Sequence, residues 1–379
     1  MHAEVVIIGA GVIGLSVAKE LAAKGHSVIL LEKEERYGSG VSSRSTEVIH
    51  SGIYYKTGSL KAKLCVRGKR LLYEHCAKYK VKHKVIGKII LAGTKEEAAR
   101  LGMVKEQALH NGVNDMIELD RGGIKRLEPN ISGEAALLSP SSGIFDTHGF
   151  MKSIFKLGES QGMVFAALSP VTGAEPVKDG WRLMVGGNDP ASVTCRIVIN
   201  AAGLHSVDLS RAIFPGRNVP RLYPTKGSYA RYSGVSPVKH IIYPALMPGL
   251  IEERVDMTPD LEGSLRFGPT VEMPEALEDF SVAPDLIERM APTIKSRIPG
   301  FDITRIHPDC AGIRPRIFGS GEPAEDFRFE WAPVPGWLDM WGMESPGLTS
   351  SLAIAEHVYG LVSEKICFEK NREVANDAA

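Results

Sequence analysis

Three glycines in the spacing G-x-G-x-x-G, at Gly9, Gly11 and Gly14, are followed 18 residues later by an acid, Glu32. Glycines so placed have separate uses in holding a diphosphate. Gly9 permits a tight turn, Gly11 lets the main chain approach a pyrophosphate, and Gly14 lets a helix sit close against a strand. The N-terminus of that helix stabilises phosphate charge, and Glu32 can accept hydrogen bonds from ribose hydroxyls. Far along the chain, Arg314 and Arg316 in AGIRPRI each offer a planar guanidinium. Either can bind a carboxylate through two parallel hydrogen bonds, or form an ordinary surface ion pair. His50 in EVIHSG offers an imidazole that can accept a proton near neutral pH, a structural histidine being the other reading.

These groups need elements to carry them. Residues 5–8 are a continuous apolar, β-branched run, the pattern of a strand covered on both faces in a parallel sheet. From Val12 the apolar residues Ile13, Val17, Ala18 and Leu21 recur at helical spacing, Gly25 stands where a helix should stop, and a second strand over 27–31 leads into Glu32. Together these elements are specific for a dinucleotide, though FAD and a nicotinamide nucleotide fit them equally. Near the other end, ESPGLTSSL opens a helical pattern. Gly347, Leu348 and Thr349 would present amides at its N-terminus, suited to the negative charge that gathers on a reduced flavin, or they form a plain cap. Ala201, Ala202 and Gly203 end an apolar strand in small residues, which permit close approach to a cofactor or form a plain strand end.

Between these ends, helical spacing covers 60–79, 96–111 and 151–161, and strands are expected over 85–92, 163–170, 181–185 and 192–198. Residues 127–150, dense in Pro, Gly and Ser, read as a crossing between domains. Alternation in GSYARY and SLRFGP, within 219–306, suggests sheet strands facing a cavity. Residues 371–379 read as a disordered tail.

Composition sets the outer bounds. The chain has 379 residues, enough for two domains, with 44% hydrophobic and 24% charged residues, which excludes disorder. Its 45 basic and 45 acidic residues cancel, leaving no positive field for a nucleic acid. Five scattered cysteines without a C-x-x-C pair suggest neither a disulfide framework nor a metal site. The apolar run near the start, 5–10, is far shorter than the ~20 residues that span a bilayer. A reducing, cytoplasmic compartment is expected, with peripheral contact at an inner membrane left open.

A Gly- and Ser-rich segment, YGSGVSSRSTEVIHSG, directly follows the second strand, where a nicotinamide enzyme would continue with another helix and strand. In this the chain resembles the flavoprotein family that includes D-amino-acid oxidase, glycine oxidase, glycerol-3-phosphate dehydrogenase and L-2-hydroxyglutarate dehydrogenase. Residues 48–76, VIHSGIYYKTGSLKAKLCVRGKRLLYEHC, are similar to the hydroxyglutarate branch in nearly every position. RIVINAAGLHS, over 196–206, resembles the strand and turn that return to the flavin, and AGIRPR with GMESPGLTSSLAIAEHV resembles the C-terminal flavin-binding end. The resemblance runs from end to end.

What it implies is an α/β (two-domain α+β) protein. A Rossmann-like FAD-binding domain with a parallel sheet would comprise 1–80, 143–218 and 306–370. A substrate domain with a large mixed or antiparallel sheet would comprise 81–142 and 219–305. Lys33, Ser45, Thr46 and Val171 join the glycines, Glu32, Ala202, Gly203 and the Gly347 helix end in a cofactor set for a non-covalent FAD. The implied reaction is oxidation of a small L-2-hydroxy acid, L-2-hydroxyglutarate to 2-oxoglutarate, by hydride transfer to flavin N5. Glycerol-3-phosphate or amino-acid oxidation is the alternative, and a non-catalytic FAD-binding protein a third. In the amino-acid oxidase relatives an arginine before proline, here Arg314, clamps the substrate carboxylate. Lys226 stands where the branch has a second cation, and Tyr243 and Tyr54 either line the cavity or pack in the core. In some relatives a histidine in this loop tethers the flavin, giving His50 a third role. Quinone or oxygen would take the electrons.

Two departures from the branch stand out. Where it reads H-N-S-G this chain has Arg44, Ser45, Thr46 and Glu47, and Asp256 stands where it tends to have histidine. A carboxylate beside an anionic substrate would repel it, so Asp256 points away or the substrate differs.

Overall fold

A computed structural model describes residues 1–245, 255–318 and 326–377, with side chains as far as Ile366. His2–Ile8 lies inside an eight-stranded sheet, parallel on one side to Val28–Leu31 and on the other to Ala191–Asn200. Val164–Ala166 extends the parallel part, Gly180–Val185 and Val171–Val177 add an antiparallel meander, and Trp337–Trp341 runs parallel to Ala191–Asn200. Alternation splits the first strand between two cores. Val5 and Ile7 pack among the helices Val12–Ala23, Leu60–Tyr79, Thr147–Ser160 and the one that begins at Gly347. Val6 and Ile8 pack against Trp181 and Trp337. With both faces covered, the strand needs the unbroken apolar run that it has.

The second sheet also has eight strands, in the order Ile306–Arg314, Thr225–Tyr232, Leu265–Phe267, Met257–Pro259, Ile241–Pro244, Lys88–Ala92, Ala135–Ser139 and Ile117–Asp120. Every pairing is antiparallel except Ile241–Pro244 with Lys88–Ala92. One face packs on the helix Leu286–Arg297 through Leu286, Met290 and Ile294. The other contributes Tyr229, Tyr243, Asp256 and Arg314 to a cavity against the first domain. A small sheet of Val48–Ile49, Gly143–Phe145 and His83–Val85 ties the two together.

Four expectations need correction. The strand Ile306–Arg314 pairs with Thr225–Tyr232, so it belongs to the substrate-side sheet and not to the cofactor domain. The expected strand over 85–92 breaks at Gly87, whose positive φ of 72° turns the chain between His83–Val85 and Lys88–Ala92. The crossing over 127–150 contains two strands, Ala135–Ser139 and Gly143–Phe145. The expected disordered tail continues the last helix, Gly347–Asp377, because residues 361–377 carry no glycine or proline to stop it; residues 378 and 379 lie outside the described residues.

Candidate active site

The cavity between the two sheets has a volume of about 640 Å³, the size of a cofactor site. At one end Gly9, at φ +99°, turns the chain out of the first strand, and a Cβ there would stand 2.6 Å from the Ala201 carbonyl oxygen. A Cβ on Gly14 would meet the Gly9 carbonyl oxygen at 1.9 Å, which is why the helix can lie so close. Gly11 faces the cavity. A Cβ on it would lie 3.2 Å from Ser42 Oγ, filling the space a pyrophosphate needs. Ser42 Oγ accepts from the Val12 amide at 2.9 Å, a contact at the start of the helix that sequence reasoning missed. Glu32 accepts from the Ala10 amide at 2.7 Å and from the Glu34 amide at 3.0 Å. Its carboxylate has lone pairs left for ribose hydroxyls.

The loop between Leu265–Phe267 and Leu286–Arg297 closes over this end. Lys33 donates to Glu278 at 2.8 Å, and Arg44 lies 3.9 Å from the centroid of the Phe280 ring. Ser45, Thr46, Val171, Ala202 and Gly203 line the same cavity, as do Gly347 and Leu348 at the start of the last helix. These residues fit an FAD: glycine and helix amides for the diphosphate, Glu32 for the ribose, a helix N-terminus at the far end. Thr349 does not line the cavity. Its buried hydroxyl accepts from the His50 amide at 3.1 Å and donates to the Val48 carbonyl at 3.2 Å, fixing the main chain where the strand Val48–Ile49 leads into His50.

At the far end, His50 lines the cavity with Tyr243, Arg314 and Asp256. Nδ1 of His50 lies 3.2 Å from Nζ of Lys88, Nε2 lies 3.5 Å from Ser345 Oγ, and the Tyr243 ring is edge-on at 6.5 Å. Lys88, only 1% exposed, was not anticipated, since one lysine at the start of an apolar strand carries no distinctive signal. Cys65 donates its thiol to the His50 carbonyl, and burial pushes that thiol up to about 12. It is therefore no nucleophile.

Of the two arginines, Arg316 donates from Nε to Glu344 at 3.1 Å, while Lys61 donates to the other carboxylate oxygen at 2.7 Å. Burial raises the Glu344 carboxyl, but Lys61 and then Arg316 outweigh it and hold the group below its ordinary range. Arg314 lines the cavity, and no described residue gives its guanidinium a hydrogen bond or ion pair.

Lys226 is a correction. It donates to Asp279 at 2.7 Å and to Ser281 at 3.0 Å, and it does not line the cavity. The register pairs Thr225 with Arg314 and Lys226 with Ile313, so alternation turns Lys226 to the opposite face from Arg314. Tyr54 is a second correction: it does not line the cavity but packs against two apolar clusters, one around Ile53 and Ile90 and one that contains Tyr243, as its core reading has it. Asp256 is 1% exposed and lines the cavity, so it does not point away. Glu47 occupies the left-handed region at φ 58°, where glycine is the easier residue, and its carboxylate accepts from the Thr147 amide at 3.0 Å.

A family model described as FAD dependent oxidoreductase matches residues 4–361 of the chain. The mitochondrial L-2-hydroxyglutarate dehydrogenase of Arabidopsis thaliana is 35% identical, over 94% of this chain and 82% of that protein. The Homo sapiens protein of the same name is 32% identical over 96% and 88%. Glycerol 3-phosphate dehydrogenase of Caloramator mitchellensis is 29% identical over 95% and 73%. Among solved structures, L-alpha-glycerophosphate oxidase from Mycoplasma pneumoniae with FAD bound superposes with a TM-score of 0.86 at 24% identity, over 96% of this chain and 95% of that one, a likeness of fold.

Proposed function

This chain belongs to the family of FAD dependent oxidoreductases, and on that footing we propose that it oxidises a small L-2-hydroxy acid, L-2-hydroxyglutarate first, to the 2-oxo acid. One observation carries the proposal: Arg314, with no partner among the described residues, lines the same cavity as His50 and the start of the last helix. A guanidinium so placed binds the substrate carboxylate in a fork, which orients the carbon bearing the hydroxyl. His50 accepts the hydroxyl proton at Nε2. Tyr243 forms a wall of the cavity and excludes water beside it. FAD, the family's cofactor, supplies the hydride acceptor when bound. Its diphosphate would be held by Gly9, Gly11 and the first amides of Val12–Ala23, its ribose by Glu32, and its ring end by the amides of Gly347 and Leu348.

The flavin is held without a covalent link, and a quinone or oxygen takes up its electrons, with peripheral contact at a membrane where the acceptor is a quinone. Among the described residues no helix is long and apolar enough to cross a membrane. A second reading, oxidation of an amino acid, is favoured by Asp256, which lines the cavity where a second carboxylate would meet repulsion and an ammonium would be attracted. Anaerobic addition of L-2-hydroxyglutarate, L-lactate, glycerol 3-phosphate and amino acids to the yellow protein separates the readings. Bleaching by L-2-hydroxyglutarate at the lowest concentration is expected; bleaching by an amino acid or glycerol 3-phosphate alone would replace the reading, and no bleaching by any would leave a non-catalytic FAD-binding protein.

A further inference from the structure

We propose that Arg44 is a cofactor-binding residue, whose guanidinium takes the diphosphate of FAD while the ring of Phe280 holds it in place from the opposite domain. The proposal rests on FAD filling this cavity and is independent of the substrate. Arg44 directly follows the single turn Val41–Ser43. Within that turn Ser42 accepts from the Val12 amide at 2.9 Å and stands where a Cβ on Gly11 would reach, so the turn lies against the helix end that suits a diphosphate. Arg44 lines the cavity, and its main chain abuts the strand Ile306–Arg314, where a Cβ on Gly312 would stand 2.5 Å from the Arg44 carbonyl oxygen. The side chain turns to the loop that covers the cofactor end. Its guanidinium carbon lies 3.9 Å from the centroid of Phe280, two residues after the Glu278 that accepts from Lys33.

The charge of Arg44 has no counterpart here. Its Nε is buried without a hydrogen-bond partner, and no described residue forms an ion pair with the guanidinium. A donor and a charge so placed are costly to bury, and an aromatic face offsets only part of that cost. An acceptor arriving in the cavity would relieve it. The lining around Arg44 offers few other cations for a doubly charged group: Glu32, Glu34 and Glu278 are carboxylates, and Lys33 is paired with Glu34 and Glu278, each at 2.8 Å. Arg314, the other guanidinium of the lining without an ion pair, stands with His50 at the far end. Arg44 is thus the cation left for the diphosphate. A guanidinium can donate two parallel hydrogen bonds from its edge to phosphate oxygens while its flat face stays on Phe280.

The test follows release of FAD from the purified full-length protein on dilution, read by recovery of flavin fluorescence, and records the phosphorus-31 resonances of the FAD bound at saturation. Arg44→Met is expected to raise the Kd for FAD about 10- to 100-fold, the range for a hydrogen bond to a charged group. Arg44→Lys should raise it less, since the charge remains and the fork is lost. Both should shift the phosphorus-31 resonances, which a merely structural role would not move. Phe280→Leu should weaken FAD less than Arg44→Met and add little in the double variant, because the ring acts through the guanidinium. Unchanged Kd and resonances in a folded Arg44→Met overturn the proposal. Full FAD affinity with a raised KM for the hydroxy acid also overturns it and gives Arg44 to the substrate. If Arg44→Met does not fold, as judged by circular dichroism, the same two readings on Arg44→Lys decide. Loss of flavin in Gly11→Val beside unaffected Arg44 variants would leave the FAD site standing and remove Arg44 from it.

Discussion

Arg316 donates to Glu344 at 3.1 Å, and this pairing leaves Arg314, two residues earlier, as the arginine of the pair that faces the cavity unpartnered among the described residues. Arg314→Ala should therefore raise the KM for the hydroxy acid by an amount equivalent to about 2 to 5 kcal/mol, the cost of losing a buried charged pair. Arg314→Lys should not restore it, because a point charge cannot reproduce the fork. Arg316→Ala should leave KM near its original value and lower the melting temperature, since Glu344 keeps only Lys61. Steady-state kinetics beside thermal melts of the three variants decide the matter; a KM effect confined to Arg316→Ala would exchange the two roles.

The phosphate cradle is tested at Gly11. A Cβ there already stands 3.2 Å from Ser42 Oγ, and the remaining atoms of valine would fill the space for the diphosphate. Gly11→Val is expected to fold, as judged by circular dichroism, yet to purify without flavin absorbance. Full flavin content in a folded Gly11→Val would place the cofactor elsewhere.

For His50, the expected outcome of His50→Ala is retention of FAD with a 100- to 10,000-fold fall in the rate of flavin reduction, the usual range for a general base. Acid precipitation of the unaltered protein should release the yellow colour to the supernatant. Colour retained in the pellet would instead mark a tether, and an unchanged reduction rate would reduce His50 to a structural part.

Lys226 makes a sharp contrast. Because it is held by Asp279 and Ser281 on the far face of its strand, Lys226→Met should change the KM for a dicarboxylic hydroxy acid by less than about twofold, well inside the ~1.4 kcal/mol of a tenfold effect. Its melting temperature should fall, since Asp279 loses its cation. A large rise in KM with unaltered stability would return Lys226 to the substrate site.

The pH dependence of stability can be read at Glu47. Burial pushes its carboxyl above the ordinary range, and the Thr147 amide and Arg266 only partly offset this. A carboxyl raised in the folded state binds protons more tightly there than in the unfolded chain. The cost to stability therefore appears as pH rises through that range, and it is absent below it. Glu47→Gln should accordingly melt on the order of 1 °C higher at neutral pH, with the gap closing as the pH falls below the ordinary carboxylate range. A gap that widened on acidification would contradict the sign of this shift.

Adjacent residues made the nucleotide half legible without coordinates. The strand, the three glycines, the helix and Glu32 lie within one short stretch, and Gly14 is required by a local contact, its approach to the Gly9 carbonyl. The family pattern likewise pointed to Arg314, His50 and the start of the last helix, because those positions sit in distinctive words of the sequence. Which way a side chain turns was another matter. Lys226 and Arg314 lie in separate strands, and their opposite directions follow from a register that pairs residues 225 and 314, a relation that no local pattern carries. Lys88 reaches His50 only because Lys88–Ala92 lies beside Ile241–Pro244. Arg316 is taken from the cavity by Glu344, which Lys61 from a distant segment of the chain also holds. Local geometry is set by neighbours in sequence; charge pairing and the face a strand presents are set by neighbours in space, and the second kind of neighbour exists only once the two sheets have closed on each other.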